Sequence, residues 1–156
     1  MVADLAALGA ETPAPEALRI VRARTAEEIA DFARVQAANW EPPDRLVLRF
    51  YELASAALRS ADCPIRLYVG YLGAEPVAAS ELTLGGDAAG LYNVATRASH
   101  RRRGFGAALT ARPLHDAREL GYRTAVLQAA AEGVRLYERI GFRRFGDITE
   151  YKPRFS

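Results

Sequence analysis

Apolar residues recur along this chain with two periods, and their alternation lays out most of its elements. From Leu18 to Ala23 apolar and charged side chains alternate (Leu18 and Ile20 against Arg19 and Arg22), as in a half-buried strand. Thr25 with Glu28 makes a capping box, after which Ile29, Phe32, Ala33 and Ala37 share one face of a helix ending near Asn39. Glu41-Pro42-Pro43 breaks that helix. Asp44 caps a second one, whose Leu46, Phe50, Leu53 and Ala57 form the stripe expected to cover a sheet. Ile65, Leu67, Val69 and Tyr71 alternate with Arg66, Tyr68 and Gly70, and a Gly73-Ala74 turn leads to an antiparallel partner over Pro76 to Leu84.

Gly85-Gly86-Asp87 turns the chain into a strand over Leu91 to Thr96, and a helix follows that Gly121 ends, with Pro113 inside it predicting a bend. A strand at Thr124 to Gln128, a short helix around Val134 to Ile140 and two strands near Phe142 to Phe145 and Ile148 to Lys152 complete the order βααβββαβαββ. Helices interleaved with hairpins and one parallel crossover predict an α/β chain of the α+β kind, with a mixed, mostly antiparallel sheet and helices on both faces. Residues 1–17 read as a flexible lead-in and 18–156 as one domain.

Composition narrows the chemistry. With 156 residues, half of them hydrophobic and about a quarter charged, the chain has the profile of a soluble globular domain. No apolar run approaches the roughly 20 residues of a bilayer span. Asp4 and the missing basic n-region speak against a signal peptide, so a cytoplasmic location is expected. Cys63 is the single cysteine and the two histidines are far apart, which leaves no expected metal site. A net charge of +2 gives little ground for a nucleic-acid partner.

The informative stretch is Leu91 to Leu120, where a short strand is followed by an arginine-rich turn, Gly104, Gly106 and a helix. A helix start offers amides without intrahelical partners and the positive end of the dipole, and glycine lets a phosphate approach the main chain. A Walker loop requires Lys-Ser or Lys-Thr after its second glycine, but Ala107 and Ala108 stand there. A dinucleotide fingerprint requires a third glycine where Leu109 stands, and a turn directly after the strand.

Arg101-Arg102-Arg103-Gly104-Phe105-Gly106 matches instead the R/Q-x-x-G-x-G/A signature of the GCN5-related N-acetyltransferases, and the chain resembles that family over residues 91–142. Val94-Ala95-Thr96 is similar to its splayed fourth strand, and Leu136-Tyr137-Glu138-Arg139-Ile140-Gly141-Phe142 to its segment before the last strands. The resemblance implies acetyl-CoA as co-substrate, its pyrophosphate on the backbone of Arg101 to Ala107 and its pantetheine arm along Val94, Ala95 and Thr96. It also implies Tyr137 as the acid that protonates the departing thiolate, for a phenol stays protonated at neutral pH. Where the family often has an asparagine touching the pantetheine arm, Ala130 stands here.

The base that takes the amine's proton is either Glu81, on the neighbouring strand, or a chain of waters. Trp40 and Glu41 in the loop between the first two helices, with Asn93, are the candidates for contacting a small-molecule amine. The alternative reading is an acyl-CoA-binding sensor without acceptor chemistry. Edge strands expected at the C-terminus leave a homodimer open.

Overall fold

The structure, a computed structural model, describes residues 1–9, 14–149 and 151. Ten elements carry the fold: β1 (Val2–Asp4), β2 (Leu18–Arg22), α1 (Ala26–Ala37), α2 (Arg45–Leu58), β3 (Ile65–Leu72), β4 (Glu75–Gly85), β5 (Ala88–Thr96), α3 (Phe105–Glu119), β6 (Thr124–Leu127) and α4 (Val134–Ile140). The strands form one sheet in the order β1-β6-β5-β4-β3-β2. Its neighbours are antiparallel except β5 and β6, the parallel pair that α3 connects. This is the mixed, mostly antiparallel sheet that the alternating patterns predict.

Strand alternation sends side chains to two cores. Tyr68, Val77, Leu82 and Leu91 meet Leu109 and Leu114 of α3 and Phe142 on one face. Val69 and Ala79 meet Ile29, Phe32 and Val35 of α1 and Tyr51 of α2 on the other. Gly70 lets α3 lie this close, because a Cβ there would come within 2.9 Å of a methyl of Leu109. The capping box of α1 forms as expected: Thr25 accepts from the Glu28 amide while Glu28 accepts from the Thr25 amide. The helix expected to bend at Pro113 runs unbroken as a helix through that residue, whose ring is buried.

Three expectations are corrected. Val2–Asp4, placed in the flexible lead-in, is an edge strand antiparallel to β6, and Leu5 after it is fully buried. The strand expected near Phe142 to Phe145 is reduced to one bridge, Val2 to Arg143, since β1 already occupies the edge beside β6. Residues 148 and 149 belong to no strand, and 150 and 152 lie outside the described residues, so the C-terminal edge strands that left a homodimer open are not formed among the described residues.

A further correction concerns α2. It does not bury the Leu46-Phe50-Leu53 stripe, which is 61–79% exposed. It turns Val47, Tyr51 and Leu58 inward instead. The helix is apolar on two sides, and periodicity cannot choose between them. The Tyr51 side wins because its ring packs edge-on against Phe32, centroids 4.9 Å apart, and its hydroxyl reaches a carboxylate.

Tyr68, 1% exposed, donates to Asp116 of α3 at 2.7 Å, and burial followed by that carboxylate pushes its phenol well above the ordinary 10.0. Below that value folded and unfolded chains both keep the proton. Above it only the folded chain does, so stability is lost as pH rises past 10. Thermal melts at increasing pH should show Tm falling beyond pH 10, with Tyr68→Phe showing a shallower fall.

Candidate functional site

The site begins where two strands part. β5 and β6 pair from Ala88–Thr124 to Leu91–Leu127 and no further, so Tyr92 to Thr96 run on with one edge free. On its other edge β5 carries a bulge: Tyr92 lies opposite Glu81 and Ala95 opposite Ala79, so Asn93 and Val94 together face Ser80. Asn93 takes φ +51°, a conformation that asparagine tolerates better than most residues. The Gln36 side chain, from α1, donates to the Asn93 carbonyl at 2.5 Å and pins the bulge. Between the parted strands lies a cleft of about 610 Å³, walled by residues 91–96 on one side and by Gln128, Gly133 and Tyr137 on the other.

Beside the cleft, which Arg101 helps to line, is the arginine-glycine turn. Gly104, at φ +82°, is the N-cap of α3 and supplies no side chain to it, and the first helical bond is donated by Ala108 to the Gly104 carbonyl at 3.1 Å. The amides of Phe105, Gly106 and Ala107 therefore have no intrahelical acceptor. Arg101 lines the cleft and donates to the Thr96 carbonyl at 3.2 Å, tying the turn to the end of β5. Arg102 has φ +63°, and the Arg103 guanidinium lies 4.9 Å over the ring of Phe105, which is 3% exposed and anchors the helix. Unfilled amides on a helix dipole, ringed by three exposed arginines, fit a pyrophosphate.

Tyr137 also lines the cleft, buried on α4 with its ring edge-on to Phe142 at 6.0 Å. Burial raises its pKa from 10.0, so it holds its proton throughout the neutral range. Gly133 makes room for the ring, for a Cβ there would lie 3.0 Å from it.

The expected site residues divide accordingly. Val94, Ala95, Thr96, Arg101, Asn93 and Tyr137 share the cleft wall, while Arg102 to Ala107 make the turn beside it. Glu81 lies behind the bulge, accepting from Asn93 Nδ2 at 2.9 Å, from Thr83 at 3.2 Å and from the Tyr51 hydroxyl at 3.4 Å. Burial and the Glu81 charge together hold the Tyr51 phenol far above 10.0. Trp40 and Glu41 are exposed and do not line the cleft, but Asn39 beside them does.

Sequence reasoning missed Gln36 and Tyr51. Gln36 left a signal, being polar on the apolar face of α1, whereas Tyr51 lay off the stripe chosen for α2. On α3, His115, Asp116 and Glu119 bring ligand atoms within 4.8 Å of one another outside the cleft lining. Asp116 there already accepts from Tyr68 and Arg112.

A free strand edge and a protonated tyrosine line one cleft, and a helix N-terminus with unfilled amides stands beside it. The acetyltransferase (GNAT) family model matches residues 24–142, and the chain belongs to that family. None of the curated proteins matches the chain. Its fold is similar to that of a GCN5-related N-acetyltransferase from Kribbella flavida (TM-score 0.68, 24% identity), matched over 91% of this chain and 52% of that one, so this chain spans about half that protein's length. It is also similar to a GCN5-related N-acetyltransferase from Ralstonia eutropha (TM-score 0.67, 24% identity, 86% of this chain and 98% of that one). A predicted acetyltransferase from Clostridium acetobutylicum, solved with acetyl-CoA, is similar too (TM-score 0.67, 14% identity, 86% and 96%).

Proposed function

We propose that this chain transfers the acetyl group of acetyl-CoA to the primary amine of a small molecule, by direct attack within a ternary complex. The observation that carries the reading is the parting of β5 from β6 between the Gly104 turn and Tyr137. When bound, acetyl-CoA supplies an acyl carbon activated as a thioester.

The protein's part is to hold, polarise and move protons. The amides of Phe105 to Ala107 hold phosphate, and the free edge of β5 aligns the pantetheine arm. The bulge turns backbone near Val94 toward the acetyl oxygen, where a fixed N–H stabilises developing negative charge. Glu81 receives the proton that the attacking amine loses as its nitrogen bonds to the acyl carbon. Tyr137 gives its proton to the sulfur as the carbon–sulfur bond breaks.

A second reading, an acyl-CoA-binding module without acceptor chemistry, is favoured by one observation: the two oxygens of Glu81 already receive three donors within the protein. Incubating the protein with acetyl-CoA and a broad panel of amines, and measuring released CoA, separates the two. Turnover with any amine supports transfer, and tight binding without release from any of them supports the module. Glu81→Gln should lower kcat by about 100-fold with acetyl-CoA affinity unchanged. An unaltered kcat would assign the proton to water.

A further inference from the structure

Leu46, Phe50 and Leu53 of α2 are 79%, 61% and 67% exposed, and Trp40, in the loop leading into this helix, is 53% exposed. With about 150–250 Å² on each aromatic side chain, these four residues present roughly 500 Å² of apolar surface. That is near the apolar share of a standard interface, which takes about 800 Å² from each partner. We propose that this face is covered by the same face of a second copy of the chain, with the two α2 helices antiparallel across a two-fold axis.

One feature of the helix selects that occupant. The stripe Leu46, Phe50, Leu53, Ala57 has spacings of four, three and four, and so reads the same in both directions. A two-fold axis midway between Phe50 and Leu53 lays Phe50 of one copy on Leu53 of the other, and Leu46 on the small Ala57. Self-complementarity of this kind is what an isologous contact requires.

The test reads mass, so it stands or falls separately from acetyl transfer. Sedimentation equilibrium of the full chain at micromolar concentration should give twice its 17.0 kDa. Leu53→Arg adds charge at a position already exposed in the single copy, and should weaken association by about 100-fold with an unchanged circular dichroism spectrum. A wild-type chain that stays at single mass near 100 µM overturns the proposal. So does a dimer that Leu53→Arg leaves intact.

Discussion

Gly104→Trp should raise the dissociation constant of acetyl-CoA by at least about 100-fold, a loss of about 2.8 kcal/mol. Two effects add at this position. The residue sits at φ +82°, a region that costs an L-residue roughly 1–2 kcal/mol, so the turn must distort or strain. An indole would also fill the space before the amides of Phe105 to Ala107, where the phosphates are to lie. The domain itself should stay folded, because Gly104 is exposed and the nearest atom to an added Cβ is a Pro15 carbon at 3.5 Å, an ordinary contact. Calorimetric titration of both proteins decides the matter: equal affinities would mean that the turn does not hold the cofactor.

Tyr137→Phe should separate chemistry from binding. Only the hydroxyl is removed, so the edge-on packing against Phe142 is kept and acetyl-CoA should bind as before. If the hydroxyl protonates the sulfur, kcat should fall by about 100-fold or more, the usual worth of a positioned acid. Because burial raises the phenol above 10.0, the alkaline limb of the wild-type rate profile should begin only beyond that pH, and should vanish in the variant. An unchanged kcat would leave the ring with a packing role alone.

What could be read from the sequence was what neighbouring residues decide. The capping box at Thr25, the Asp44 cap, the turns at Gly73 and Gly86 and the glycine-arginine turn before α3 each depend on a few consecutive residues, and each is found where the pattern predicts. Features that depend on distant pairing were hidden. The three-residue β1 exists because β6, over a hundred positions away, offers it an edge. The bulge at Asn93 and Val94 is a mismatch of register between β4 and β5, which neither strand encodes by itself.

The environment of Glu81 is hidden for the same reason. Its donors Tyr51 and Asn93 come from α2 and β5, so only the assembled sheet shows a carboxylate held behind the bulge. In α2 the failure is of another kind: two apolar stripes compete, and the winner is set by Phe32 and Glu81 on other elements.

The short pairing between β5 and β6 has a mechanical meaning as well. Only four residue pairs, Ala88–Thr124 to Leu91–Leu127, join the strand pair β1–β6 to the other four strands. One core spans that seam, with Ala3, Leu5 and Ala125 packed in the same cluster as Leu82, Leu91 and Leu109. With so few strand hydrogen bonds at the join, side-chain packing around Ala89 and Ala125, both at 0% exposure, holds the two groups of strands together beside the cleft.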